Sequence, residues 1–177
     1  MANIALNKPS GGQLILSPED GTSTETVIIP SVGVGKVLQV LTYQHDTGDI
    51  TTTSDGNVST GVSLTITPKA SNSKIICTLT GGQQNESVSN VQGVTSIYRS
   101  INGGAYGLLD YIDAYQASEQ SWLAHSGCYV DTTHNTTSPI TYTVYMRSRS
   151  SLGTYYFHHD LGGVSGTLVF QVMEVAA

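Results

Sequence analysis

His158-His159-Asp160 sets an imidazole and a carboxylate two residues apart on one strand face, where two ligands of a metal site could stand. Two ligands do not complete a site, and His45, His125 and His134 have no spacing that ties them to it. The segment reads as the polar end of a strand entering the Gly162-Gly163 turn, with an ion held between symmetry copies of His158 as the sharper alternative. Asp46-Thr47-Gly48 carries the triplet with which two aspartic-protease subunits share a proton. Tyr43-Gln44-His45 stands where an apolar strand should precede it, so a turn with an Asx-type cap is the better reading. Asp46, Asp49 and Asp55 crowd one region as calcium ligands do, without the spacing of the twelve-residue loop. Gly33-Val34-Gly35-Lys36 has the lettering of a phosphate loop, but Pro30 occupies the first glycine's place and a strand follows, which rejects it.

Nucleophilic catalysis has no support either. There is no Gly-x-Ser-x-Gly, and Cys128 near His125 lacks a third group. Asp110 and Asp113 are the nearest carboxylate pair for glycan cleavage, and most such pairs are solvated turns. Arg147 and Arg149 share a strand face and either pair with carboxylates across an interface or lie solvated. The Asn57, Asn85 and Asn135 sequons follow from Ser/Thr-rich composition, since no secretory signal precedes them. The expectation is a protein that is not an enzyme and uses no metal or other cofactor.

Composition sets the frame for these residues. Charged residues are 11% of the 177, against about 25% in an ordinary soluble domain. With 21 Ser, 22 Thr and 19 Gly, the chain is rich in strand and turn formers and poor in helix formers. Seven Lys and Arg against 13 Asp and Glu, for a net charge of -6, leave no basic cluster for a phosphate backbone, so nucleic acid is excluded as a partner. No stretch approaches about 18 consecutive apolar residues, so a membrane is not expected. Cys77 and Cys128 read as two small buried hydrophobes in a reducing compartment, with a disulfide between them left open.

Turn chemistry and alternation place the elements. Residues 1–35 form an N-terminal arm with two short strands, Leu14-Ile15-Leu16 and Val27-Ile28-Ile29, which cannot make a core alone and must pair with the head, a sister copy or another protein. Residues 36–177 form the head domain. Its predicted strands are 36–45, 48–54, 61–67, 73–83, 92–101, 105–115, 121–132, 139–150, 153–158 and 165–175, a spacing that predicts an all-β antiparallel sandwich. Asn102-Gly103-Gly104 marks the clearest hairpin. The last strand puts Leu168, Phe170 and Val172 on one face and Val169, Met173 and Val175 with Gln171 on the other. Residues 37–41 are likewise apolar on both faces. Such strands need a second cover, so Val169, Met173 and Val175 are the expected subunit interface of a homotrimer.

The run Ile4-Ala5-Leu6-Asn7, then Ser10 to Pro18 and Thr24 to Pro30, resembles the opening of bacteriophage tail-fibre and virion-appendage proteins. Gly35 to Val40, Thr60 to Pro68 and Ser71 to Ile76 are similar to the β-sandwich heads that follow such openings. The resemblance implies a trimeric, jelly-roll or tumour-necrosis-factor-like head, and it brings no catalytic motif. The chain lacks the shaft or heptads of a long fibre and ends two residues after its last predicted strand, which suggests a stand-alone capsid decoration (cement) protein. Leu14, Ile15, Leu16, Val27, Ile28 and Ile29 would then contact the major capsid protein or sister subunits. The rival is a short tail fibre or receptor-binding knob that holds a host surface glycan through residues such as Tyr106, Tyr111 and Tyr155. Either way the expected location is the virion, assembled in the host cytoplasm.

Overall fold

Alternating apolar and polar residues decide where strands form, because period-two patterning sends one set of side chains to the core and the other to solvent. The computed structural model describes residues 13–16, 25–28, 35–87, 92–116, 122–149, 153–160, 162 and 166–177. Its arm strands are β1 (Gln13–Leu16) and β2 (Glu25–Ile28). The head strands are β3 (Val37–His45), β4 (Ile50–Thr52), β5 (Val58–Ile66), β6 (Lys74–Glu86), β7 (Gln92–Ile101), β8 (Gly107–Gln116), β9 (Leu123–Asp131), β10 (Ile140–Arg149), β11 (Tyr155–His158) and β12 (Leu168–Val175). Each of the ten predicted head strands has its counterpart, and no helix occurs among the described residues.

Two antiparallel sheets face each other. One has the order β5-β10-β7-β8; the other runs β3-β12-β6, with β9 on the far flank of β6 and β11-β4 continuing beyond its bend. Among the eight long head strands, only β7 and β8 are consecutive partners, joined through Asn102 and Gly103, both at positive φ. The remaining links cross between sheets, which is jelly-roll connectivity around one core. β1 and β2 pair with each other in register from Gln13↔Ile28 to Leu16↔Glu25, as a separate two-stranded sheet. Ile29 lies outside the described residues.

The core lies between the sheets. Val62, Ile66, Ile97, Ile140, Tyr142 and Val144 meet Ile75, Cys77, Leu79, Leu168, Phe170 and Val172, all at most 1% exposed. Each such side chain contributes about 1.5–3 kcal/mol of transfer free energy. Two polar chains cross this interior. Arg99 on β7 and Tyr142 on β10 both donate to Asp131 Oδ2 on β9, each at 2.7 Å. In the second, Thr95 lies 3.0 Å from the Tyr155 hydroxyl, which donates to Gln84, while Gln84 and His125 both reach Asp113 Oδ2.

Two glycines explain a strand longer than predicted. β6 runs to Glu86 because Gly81 and Gly82 adopt φ of 74° and 62°, and the register slips there before the strand picks up β11. A Cβ at Gly81 would collide with the Thr167 carbonyl, so only glycine fits this bend.

The cysteine reading is corrected in part. Cys77 is buried, but Cys128 is exposed and both are free. β9 sets Cys128 opposite Thr78 and Tyr129 opposite Cys77, so the two thiols point to opposite faces of one sheet.

Candidate functional site

Register brings together residues that no single strand reveals. On the outer face of the β3-β12-β6-β9 sheet, Val40, Met173, Ile76 and Val130 are successive partners on four adjacent strands. Val40 is 45% and Val130 46% exposed, with Met173 and Ile76 half-buried between them. Val175 extends the patch beside Val37, which is 48% exposed, and Lys74 bounds it. A polar row, Thr42, Gln171, Thr78 and Cys128, runs alongside. A contiguous apolar row on a solvent face differs from the scattered hydrophobics of ordinary surfaces.

Met173 and Val175, expected at an interface, therefore lie within this row or at its margin, and Val169 stands one polar row away, between Gln44 and Thr80. Ile76 and Val130 escaped the sequence reading. Each looked like one apolar residue on a polar face, and only strand order and register align them with Met173.

The arm residues Leu14, Ile15, Leu16, Val27 and Ile28 lie in the β1–β2 hairpin, whose backbone pairing is the extent of what is described.

Candidate catalytic residues are engaged in structural bonds. Asp46-Thr47-Gly48 is a turn after β3: Gly48 has φ 81°, its N–H donates to Asp160 Oδ2 at 3.0 Å, and its carbonyl meets His45 Nε2 at 2.9 Å. Asp49 Oδ1 meets His159 Nδ1 at 2.9 Å and accepts from the Asp160 N–H at 2.7 Å. Asp110 Oδ1 accepts from the Tyr111 N–H, whereas Asp113 takes Gln84 and His125, so the two carboxylates serve different partners. His125 points into the core and Cys128 away from it. Among the described residues, no group of three or more His, Cys, Asp or Glu side chains is disposed to hold a metal ion. The described part of Gly33-Val34-Gly35-Lys36 is its end, where Gly35 donates to the Ala176 carbonyl and Lys36 accepts from the Ala176 N–H.

His158 departs from this pattern. It is fully buried, neither ring nitrogen has a hydrogen-bond partner, and its ring meets the His45 ring edge-on at 4.9 Å. The spacing argument that separated His45 from His158 is thus corrected: β3 and β11 converge at their ends though far apart in sequence. Burial, then the neighbouring His45, holds the His158 imidazole below its ordinary 6.5, against the pull of Asp160 and Asp49. Burial raises the carboxyls of Asp131 and Glu174, but their hydrogen bonds outweigh it and leave both below the ordinary range.

The tyrosines divide between the two sheets. Tyr106 and Tyr111 are 46% and 48% exposed on the outer side of the β5-β10-β7-β8 sheet. Tyr155 is wholly buried and bonded to Gln84, so its expected glycan role is corrected: its ring lies against Gly93, where a Cβ could not stand.

Strand order and core thus define the class: an all-β antiparallel sandwich with jelly-roll connectivity, with an exposed apolar row on one sheet. No protein-family model matches the chain, and no curated protein matches it. Among solved structures, it is similar to infectious bursal disease virus Gt strain (12% identity, TM-score 0.43), covering 100% of this chain and 47% of that one. It is also similar to the VP2 subviral particle of that virus (12% identity, TM-score 0.32, 94% of this chain and 43% of that one). The chain spans about half the length of these structures. The fold assignment rests on the strand order itself.

Proposed function

We propose that this chain is a non-enzymatic structural protein of a bacteriophage virion, a capsid decoration protein that acts as a homotrimer. The observation that carries this reading is the apolar row Val40, Met173, Ile76 and Val130 across four strands. In water such a row remains a liability; covered by a sister subunit, it becomes an interface core. The charge deficit supports the same conclusion, because few ions must be desolvated when the surface is covered. The sequence resemblance of residues 1–80 to virion-appendage proteins supplies the setting.

In this reading the β1–β2 hairpin is the attachment element, adding a strand edge to capsid or sister strands. Stabilisation follows from mass action: many copies that bind only the assembled lattice shift it away from disassembly. Equilibrium sedimentation of the purified chain should return the mass of three chains, and Met173→Asp should return one. Deletion of residues 2–34 should abolish capsid occupancy. A micromolar monomer, or full occupancy by the truncated chain, overturns the reading. Copy number separates decoration from a tail fibre, which a virion carries in a handful of copies.

A further inference from the structure

The outer face of the β5-β10-β7-β8 sheet, on the other layer from the apolar row, gathers four tyrosines. Tyr98 on β7 and Tyr145 on β10 pack ring to ring, centroids 4.1 Å apart with their planes 32° from parallel. Tyr106 approaches Tyr145 at 6.2 Å, and the Arg147 guanidinium sits 5.4 Å from the centroid of the Tyr111 ring. Tyr106 and Tyr111 are each about half exposed, so flat ring surface faces solvent.

Polar atoms without partners lie among these rings. Asn57 donates to the Tyr98 hydroxyl at 2.9 Å, yet its Oδ1 has no hydrogen-bond partner. Ser96 Oγ and Thr143 Oγ1, on side chains 0% and 4% exposed, have none either, nor has Arg147 Nε. Register puts Ser96 between Tyr145 and Tyr111, and Thr143 beside Tyr98, so these hydroxyls form the floor beneath the rings. An unmet buried polar group costs about 1–3 kcal/mol. An apolar occupant would leave all four unmet, whereas a hydroxyl-bearing one that displaces the covering rings would engage them.

Charge narrows the occupant further. Stacking on Tyr111 uses the face of the Arg147 guanidinium and its Nε is buried without a hydrogen-bond partner, which leaves the two terminal nitrogens as the end-on fork that grips a carboxylate. Arg149 stands two residues along the same strand face, and neither arginine has a carboxylate partner among the described residues. Tyrosine rings offer an apolar surface to the C–H side of a sugar while their hydroxyls reach its polar rim.

We propose that this face binds an acidic glycan, with a carboxylated pyranose stacked on Tyr106 and Tyr111 and its carboxylate held end-on by the Arg147 guanidinium. Binding of the full chain is measured by saturation-transfer NMR and calorimetry with oligogalacturonate, sialyllactose, methyl-esterified oligogalacturonate and a neutral maltooligosaccharide. One or both acidic sugars bind, while the methyl ester and the neutral sugar bind at least about tenfold more weakly. Arg147→Ala and Tyr106→Ala each weaken binding by about tenfold or more, and Arg147→Lys recovers little because a point charge cannot form the fork. Both alanine variants keep the wild-type melting midpoint and oligomeric state, so failure here is separable from failure of the assembly reading. Binding of none of the sugars, equal binding of the methyl ester, or unchanged affinity in both alanine variants overturns the proposal.

Discussion

Arg99 on β7 and Asp131 on β9 meet at 2.7 Å from opposite sheets, with Tyr142 on the same carboxylate oxygen and the Thr133 N–H on the other. The pair joins the two layers of the sandwich through a fully buried carboxylate. Removing one partner strands that charge, which costs about 3–5 kcal/mol when both are buried. The Arg99 side chain is 19% exposed, so Arg99→Met should cost near the lower end, about 3 kcal/mol. Urea unfolding of wild type and variant measures this; a loss under about 1 kcal/mol would make the pair a surface contact in energetic terms.

The buried His158 predicts an acid weakness well above the carboxylate range. Its folded-state value lies below the ordinary 6.5, so as pH falls through 6.5 the unfolded chain takes up a proton that the folded chain refuses. The His158 contribution to stability is therefore fully present above 6.5 and is lost as pH falls toward the folded-state value. The facing groups are His45, Asp49, Asp160 and His125. His158→Phe should flatten the decline of the urea midpoint below pH 6.5 relative to wild type. Parallel profiles for the two proteins would place the sensitivity in another histidine.

Glu174 predicts a loss in the same direction, on acidification, but in the carboxylate range. Its carboxylate, 0% exposed, accepts from Gln39, the Lys69 and Ala70 N–H groups and Ser73. These bonds hold its carboxyl below the ordinary 4.5, so its contribution is present above 4.5 and lost as pH falls through the folded value. Glu174→Gln turns an amide toward donors and should cost about 2 kcal/mol at neutral pH, as charge-assisted bonds are worth about 1.5–3. The gap between variant and wild type should close on acidification, which denaturant titrations at both ends of the range can follow.

Strand positions were legible because each is coded locally, as Ile75, Cys77 and Leu79 alternating with Lys74, Ile76 and Thr78 illustrate. The hairpin at Asn102-Gly103 was legible for the same reason. Register was not. Tyr155 reads as an exposed aromatic until Gly93 is seen to leave room for its ring, and Cys128 reads as buried until β9 is aligned on β6. The contact of His45 with His158 joins residues more than a hundred positions apart and has no local trace. The apolar row and the tyrosine face are both cross-strand objects, visible only once neighbouring strands are known.

Cys128 offers a probe of the covered face without any new label. It lies next to the apolar row, two residues from Val130 on the same side of β9, and its thiol is exposed. Cys77 lies on the opposite side, and burial, with smaller contributions from Asp131 and Cys128, pushes its thiol far up, so the native protein offers no reactive thiolate there. If a sister subunit covers the row, Cys128 of wild type should react with an aromatic disulfide reagent at least about tenfold more slowly than Cys128 of the Met173→Asp monomer. Cys77 should react in neither until denaturant unfolds the chain. Equal rates for Cys128 in the two proteins would mean the row stays open to water, and the trimer would have to be built on another surface.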